Sequence, residues 1–400
     1  MKLNKAFGGC RAAARKEMMN MSMRGGCWTF GVVALVSLAS FAGQDEIAKY
    51  DPNMAQKSAV ITNGVKWIDG RFLPIEGRAF SDVDHYYDRL PKNVTTNVNR
   101  GVREMKHHTA GMQFRFRTDS KKLSFKWTPY SGGLSMDHMP STGVSGIDVY
   151  RFDAAKGKWL YAKTGRIWDA KKGGTLTMDW TPGTPCLVNL PLYNGIRSFE
   201  LGVDPAAKVE ALEPRRSGVN KPVVFYGTSI THGGCCSRPG LAFPSIMGRD
   251  LDVPIVNLGF SGSGQGELEM SEHLAAIDAS CYVIDCVWNM GPKLMEERYE
   301  KFVRNLRRLR PDVPIVLAEG CDVYCATEQS KSIRDRSKYV KPLYEQLKKE
   351  GWKGLYFLPA EGQHADDFEG TVDGCHPNDW GMMHIAKAFG AVVREALKLK

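Results

Sequence analysis

Beyond its first 42 residues this chain carries no block of five or six like charges, the feature that marks a nucleic-acid-binding tail. Arg307, Arg308 and Arg310 fall in a helical pattern and read as a solvated face. The apolar run from Trp28 to Ala42 is too short to span a bilayer comfortably. No cysteine pattern makes a zinc site: Cys321-x-x-x-Cys325 has no second pair, and Cys281 and Cys286 lie in a strand pattern, so no metal is implied. A dinucleotide fingerprint is missing too, because the third glycine of Gly262-Ser263-Gly264-Gln265-Gly266 is misplaced and the loop follows the second strand pattern of its half. No nucleotide cofactor is expected. Around Ser229 there is no Gly-x-Ser-x-Gly, which removes the nucleophile elbow of the α/β-hydrolases.

What is present begins with a lead of another character. A loose, basic, Met-rich stretch ends at Arg24, an apolar run follows, and Ser40-Phe41-Ala42 precedes Gly43. This is the order of a charged region, a short hydrophobic region and a small-x-small cleavage site, so residues 1–42 are read as a signal peptide cut near Ala42. Cys27 precedes the apolar run and Gly43 follows it, which disfavours a lipid-anchored cysteine. The mature chain is expected in the periplasm or outside the cell, with no stable membrane anchor once the signal is cut. Of the formal net charge of +10, half belongs to this lead, where six basic residues face only Glu17. Cysteines at 186, 235, 236, 281, 286, 321, 325 and 375 remain, and several lie in apolar strand patterns, where a free thiol behaves as a small buried hydrophobe.

At 400 residues, 43% of them hydrophobic, the chain can fill two cores. From Gly64 to Val203 the apolar period is two: Met112, Phe114 and Phe116, then Leu123, Phe125 and Trp127, then Leu176, Met178 and Trp180, each run bounded by turn residues. These are half-buried antiparallel strands, and residues 43–204 are expected to form a jelly-roll-like β-sandwich. Residues 205–220 are charged and turn-rich, as a linker would be. Over 221–400 the pattern changes. Continuously apolar runs at Val223–Tyr226, Val253–Leu258, Tyr282–Val287, Ile315–Ala318 and Leu355–Leu358 alternate with helical patterns, which predicts an α/β domain: a five-stranded parallel sheet in a flavodoxin-like three-layer arrangement, its site at the carboxyl ends of the strands.

Those strand ends carry the chemistry-bearing residues. Val223-Val224-Phe225-Tyr226 runs into Gly227-Thr228-Ser229, which sets a hydroxyl at the end of the first strand. A serine hydroxyl needs a base, and Asp373-Gly374-Cys375-His376 offers His376 with a carboxylate three residues before it to orient the ring. The glycine-rich loop through Gly262 can bring backbone N–H groups to a substrate oxygen, and Asn289, after the third strand, adds a side-chain amide. Singly, each motif is as well explained by a turn or a cap; their order at successive strand ends points to acyl chemistry.

Gly227-Thr228-Ser229, Gly262, Asn289 and Asp373-x-x-His376 resemble the four blocks of the SGNH (GDSL-like) hydrolase family, across the whole carboxyl-terminal half. The resemblance implies Ser229 as nucleophile, His376 as base with Asp373 behind it, and an oxyanion hole from the Ser229 and Gly262 N–H groups and the Asn289 side chain. Thr228 stands where many members have aspartate. In the first half, Tyr87-Asp88-Arg89-Leu90-Pro91, Met136-Asp137-His138-Met139-Pro140, Gly146-Ile147-Asp148-Val149-Tyr150 and Leu190-Pro191-Leu192-Tyr193-Asn194 resemble the GxDLY-type β-domain of a two-domain bacterial branch, with Val149 in place of leucine; Ser237-Arg238-Pro239-Gly240 fits the same pattern. The expected activity is cofactor-free hydrolysis of O-acyl esters, acetyl esters of carbohydrates foremost, so the expected partner is a small-molecule or glycan ester. Esters of lipids or aryl alcohols remain open, as does an inactive glycan-binding protein. His232, Arg238 and His138 are further candidates for the pocket wall.

Overall fold

The structure, a computed structural model, describes residues 59–321, 328–365 and 367–399. The expected signal peptide lies outside the described residues, as do Cys10, Cys27 and Cys325. No helix among the described residues is long and apolar enough to cross a membrane.

The amino-terminal half is two antiparallel sheets, as its period-two pattern predicts. One has the order β1-β2-β10-β5-β8, formed by β1 (Ala59–Thr62), β2 (Val65–Asp69), β10 (Ile196–Val203), β5 (Lys122–Pro129) and β8 (Gly174–Asp179). The other has the order β11-β4-β9-β6-β7, formed by β11 (Val209–Ala211), β4 (Gln113–Thr118), β9 (Pro185–Asn189), β6 (Ile147–Asp153) and β7 (Lys158–Gly165), with β3 (Ile75–Glu76) also on β4. Phe114 and Phe116 of one sheet and Phe125, Trp127 and Phe199 of the other share one core, the inward alternate residues of a sandwich. The stretch expected to be a linker differs. Val209–Ala211 pairs with Thr118–Phe116 as an edge strand, and Arg215, buried, bridges Glu76 and Asp252. Three residues at a sheet edge leave too short an alternation to stand out in a charged sequence.

The carboxyl-terminal half is an α/β domain with a five-stranded parallel sheet ordered β13-β12-β14-β15-β16: β12 (Val223–Gly227), β13 (Ile255–Gly259), β14 (Cys281–Asp285), β15 (Ile315–Ala318) and β16 (Leu355–Leu358). That is the flavodoxin-like order. Val224 and Tyr226 enter the core on one face, with Met270 and Leu274 of the helix Leu268–Ala275 and Phe302 and Leu306 of Glu300–Leu309; Val223 and Phe225 enter the core on the other, with Phe243 and Met247 of Phe243–Leu251 and Ile385 and Phe389 of Asp379–Ala396. Burial on both faces is why these strands read as unbroken apolar runs. The β-domain is part of the same packing: Leu90, Val98 and Val102 join the first of these cores, and Ala110, Met139, Val144 and Leu192 the second. Register aligns Gly227 with Gly259 on one side and Asp285 on the other, so the three loops that follow start at one level.

Candidate active site

Strand β12 ends in a turn that only glycine permits. A Cβ at Gly227 would lie 2.0 Å from Thr231 Oγ1 and 2.7 Å from the Asp285 carbonyl. A one-turn helix, Ser229–His232, follows. Thr228 caps it, its hydroxyl accepting from the Ile230 N–H at 3.3 Å while its own N–H donates to Thr231 Oγ1 at 3.3 Å. The Ser229 carbonyl accepts from the Gly234 N–H at 2.8 Å and from the hydroxyl of Tyr193, a β-domain residue, at 3.2 Å. Ser229 itself is 8% exposed, at the floor of the strand ends.

His376 arrives from the loop before the last helix. Gly374 adopts φ +78°, and this bend lets Asp373 Oδ1 accept from the N–H groups of both Cys375, at 2.9 Å, and His376, at 2.7 Å. The other carboxylate oxygen meets His376 Nδ1 at 2.8 Å, and His376 Nε2 meets Ser229 Oγ at 2.9 Å. Val372 N–H closes the loop on the His376 carbonyl, and Asn378 fixes it to the helix by capping Gly381 N–H. Partial burial alone would raise the Asp373 carboxyl; the His376 N–H and ring and the Cys375 N–H outweigh it and hold it below the usual carboxylate range.

The other expected donors lie on the neighbouring loops. Phe260 N–H donates to the Gly227 carbonyl at 3.0 Å, and the loop then winds about the Phe260 carbonyl, which accepts from the N–H groups of Ser263 and Gly264. Gly262 takes φ +64° in open space, so its backbone angle, not crowding, asks for glycine. Among the described residues no acceptor is bonded to the N–H of Ser229 or Gly262. One hydrogen of the Asn289 amide goes to the Phe260 carbonyl at 3.0 Å, which orients the group and leaves its second hydrogen for a ligand.

The three pocket candidates part company. His138, exposed on the β-domain, sets its ring edge-on to His376 with centroids 5.7 Å apart. His232 is fully buried, stacked on Tyr193 and bonded to the Leu192 carbonyl at 2.8 Å. Burial, then the charge of Arg89 and the nearby His108, hold it well below the usual histidine range. Arg238 points away into the domain contact: its guanidinium donates to Asp148 Oδ2 at 2.8 Å and to the Tyr150 hydroxyl, and it covers the Tyr161 ring. The sequence assigned no role to three further contributors. Asp148, wholly buried, also accepts from Gly240 N–H at 2.9 Å and Asn189 Nδ2 at 2.8 Å, so the Gly-Ile-Asp-Val-Tyr motif anchors the loop that follows the serine. Arg89, buried among the carbonyls of Asn257, Gly259 and Met105, holds the end of β13. Thr231 donates to Asp285 Oδ2 at 2.7 Å beneath the serine turn. Asp148, Arg89 and Tyr193 all fall inside the motifs quoted above, so their positions were flagged, though not their bonds.

A serine, a histidine and an aspartate stand in hydrogen-bonded series at the carboxyl end of a parallel sheet, beside backbone N–H donors, an arrangement that suits acyl chemistry on the serine. Comparison with known proteins gives the family. Residues 220–394 match the GDSL-like lipase/acylhydrolase family, and residues 65–209 match GxDLY, the N-terminus of SGNH-hydrolase-type esterases. The chain belongs to the SGNH (GDSL-like) hydrolases, in the two-domain form with a GxDLY β-domain, and is an ester-hydrolysing enzyme. A GDSL-like lipase from Bacteroides ovatus is similar over 84% of this chain and 99% of its own, with 28% identity and a TM-score of 0.73. A salicylyl-acyltransferase from a tetracycline biosynthetic pathway shares the fold at 18% identity and TM-score 0.67, covering 84% of this chain and 98% of its own. A family two carbohydrate esterase from Cellvibrio japonicus shares it at 12% and 0.52, covering 84% and 98%. No curated protein matches the chain by sequence.

Proposed function

We propose that this enzyme removes acyl groups, acetyl foremost, from hydroxyls of carbohydrates outside the cytoplasm. In this reading His376 Nε2 takes the proton of Ser229 Oγ as the oxygen attacks the ester carbonyl. The carbonyl oxygen gathers charge and is met by the N–H groups of Ser229 and Gly262 and the second N–H of Asn289. As the intermediate collapses, His376 returns the proton to the departing sugar oxygen; water then attacks the acyl-serine with His376 again as base. Asp373, kept ionised, holds the proton of His376 on Nδ1 throughout. The single observation that carries the reading is the series Asp373, His376, Ser229 at 2.8 and 2.9 Å. Export rests on the basic lead, apolar run and small-residue site of the sequence, and the carbohydrate on export together with a β-domain that places His138 beside the base.

The test is acetate release from acetylated xylan, acetylated pectin and aryl acetates by the purified protein. Ser229→Ala is expected to reduce release by roughly 10³-fold or more. Cleavage of aryl or lipid esters with no polysaccharide deacetylated would move the substrate to those classes. Retained activity in Ser229→Ala would remove the serine from the mechanism.

A further inference from the structure

The loop after the nucleophile brings a thiol to the base. Cys235, buried and held at φ +68°, follows Gly234, where a Cβ would lie 3.4 Å from His376 Cδ2. From the β-domain comes His138. One donor atom each from His138, Cys235 and His376 lies within 4.8 Å of the others. Three segments distant in sequence and drawn from both domains therefore converge, a cluster that cysteine spacing alone does not reveal. Tetrahedral zinc, with Zn–N of about 2.0–2.1 Å and Zn–S of about 2.3 Å, sets its donors roughly 3.3–3.6 Å apart. The present donors need draw in by about an ångström, and the exposed imidazole of His138 has room for that.

The surroundings suit a cation. Asp373 on His376 Nδ1 leaves Nε2 as the ring's lone pair and supplies the carboxylate that steadies metal-bound histidines. The carboxylate of Asp373, beside the cluster, favours a positive ion there, and binding displaces the Cys235 thiol proton to solvent. A second cluster, His85, Asp88 and His107, is as compact, but it offers a carboxylate where the first has a thiol, and so lacks the soft donor; Asp88 there accepts from the His85 N–H at 3.0 Å and meets His107 Nδ1 at 2.8 Å.

We propose that His138, Cys235 and His376 bind a soft divalent cation of the Zn²⁺ type. Two nitrogens and a thiolate favour such an ion over Mg²⁺ or Ca²⁺ and leave a fourth position open. Occupation takes the Nε2 lone pair of His376 away from Ser229, so the ion is an inhibitor that also ties the β-domain to the catalytic loop. The inhibition rests on the triad proposed above; the binding does not.

Co²⁺ titrated into the wild-type protein reads the site directly. One equivalent is expected to give tetrahedral d–d bands and a thiolate-to-cobalt band in the near ultraviolet, displaced by Zn²⁺. Cys235→Ser removes the thiolate band, and it and His138→Ala each weaken Zn²⁺ binding by roughly tenfold or more. On an aryl acetate, Zn²⁺ inhibits the wild type and a chelator restores it, while Cys235→Ser keeps the basal rate and needs roughly tenfold more Zn²⁺. If Cys235→Ser fails to fold, the Co²⁺ and Zn²⁺ affinities of His138→Ala supply the binding comparison, independent of its rate. No thiolate band, or equal Zn²⁺ affinity in both variants and wild type, overturns the site. Binding that depends on Cys235 and His138 without inhibition overturns His376 as the third ligand. Cation binding as described in a protein that cleaves no ester supports the site and removes the functional reading instead.

Discussion

Asp373 grips His376 from two sides, its ring through one carboxylate oxygen and its backbone through the other, yet the aspartate side chain is 40% exposed. Its lowered pKa keeps the pair intact as pH falls below the ordinary carboxylate value of 3.8, and the stabilisation is lost only as pH drops through the lowered value. In the proposed mechanism Asn289 is the more decisive residue for the reaction itself. Its amide is already oriented by the Phe260 carbonyl, so Asn289→Ala removes a prepared donor. The expected result is a fall in kcat of about 10²–10³-fold with KM little changed. Steady-state kinetics on an aryl acetate checks this, and a change confined to KM would place Asn289 in substrate binding alone. At this scale the sequence was most readable where one short motif carries both partners, as Asp373 and His376 do. It was least readable for His232, whose burial depends on Tyr193 and Arg89 from the other domain.

The turn between β12 and the last residue of β14 shows how an element supports a residue. Thr231 bonds Asp285 in a wholly buried position, and burial pushes that carboxyl up to about 7, the Thr231 hydrogen bond opposing only in part. A raised carboxyl favours the fold below its unfolded value near 3.8 and forfeits that contribution as pH climbs through about 7. Asp285→Asn keeps an acceptor for Thr231 without the charge. Wild type should therefore lose thermal stability relative to the variant from pH 4 to 7 and hold a constant deficit above about pH 8. Melting curves that run parallel across this range would show that Asp285 does not titrate there. The parallel strands were legible because both of their faces are apolar, whereas β11 escaped notice for want of length.

Across the whole molecule the two halves are joined by buried polar bonds as well as by apolar packing. Asp148 is wholly buried and binds Arg238, Gly240 and Asn189, so Asp148→Ala leaves the guanidinium without its carboxylate and an N–H unpaired. The expected loss is about 3 kcal/mol or more in urea denaturation. Adding Arg238→Met to that variant should cost much less than Arg238→Met alone, because the charge left behind is also removed; additive losses would falsify the coupling. A two-domain plan was visible in the change of period near residue 205, but not this mutual burial, because sequence pattern reports which face is covered and not by what. The Ser229 carbonyl carries a consequence for inheritance. It is held by Gly234 from its own loop and by Tyr193 from the other half, so the position of Ser229 is specified jointly. A chimaera that exchanges one half for that of a relative separates Tyr193 from Ser229 and Asp148 from Arg238 at once. The two halves should therefore vary together through descent, and a transplant should succeed only when Tyr193, Asp148 and the loop through Arg238 travel as a set.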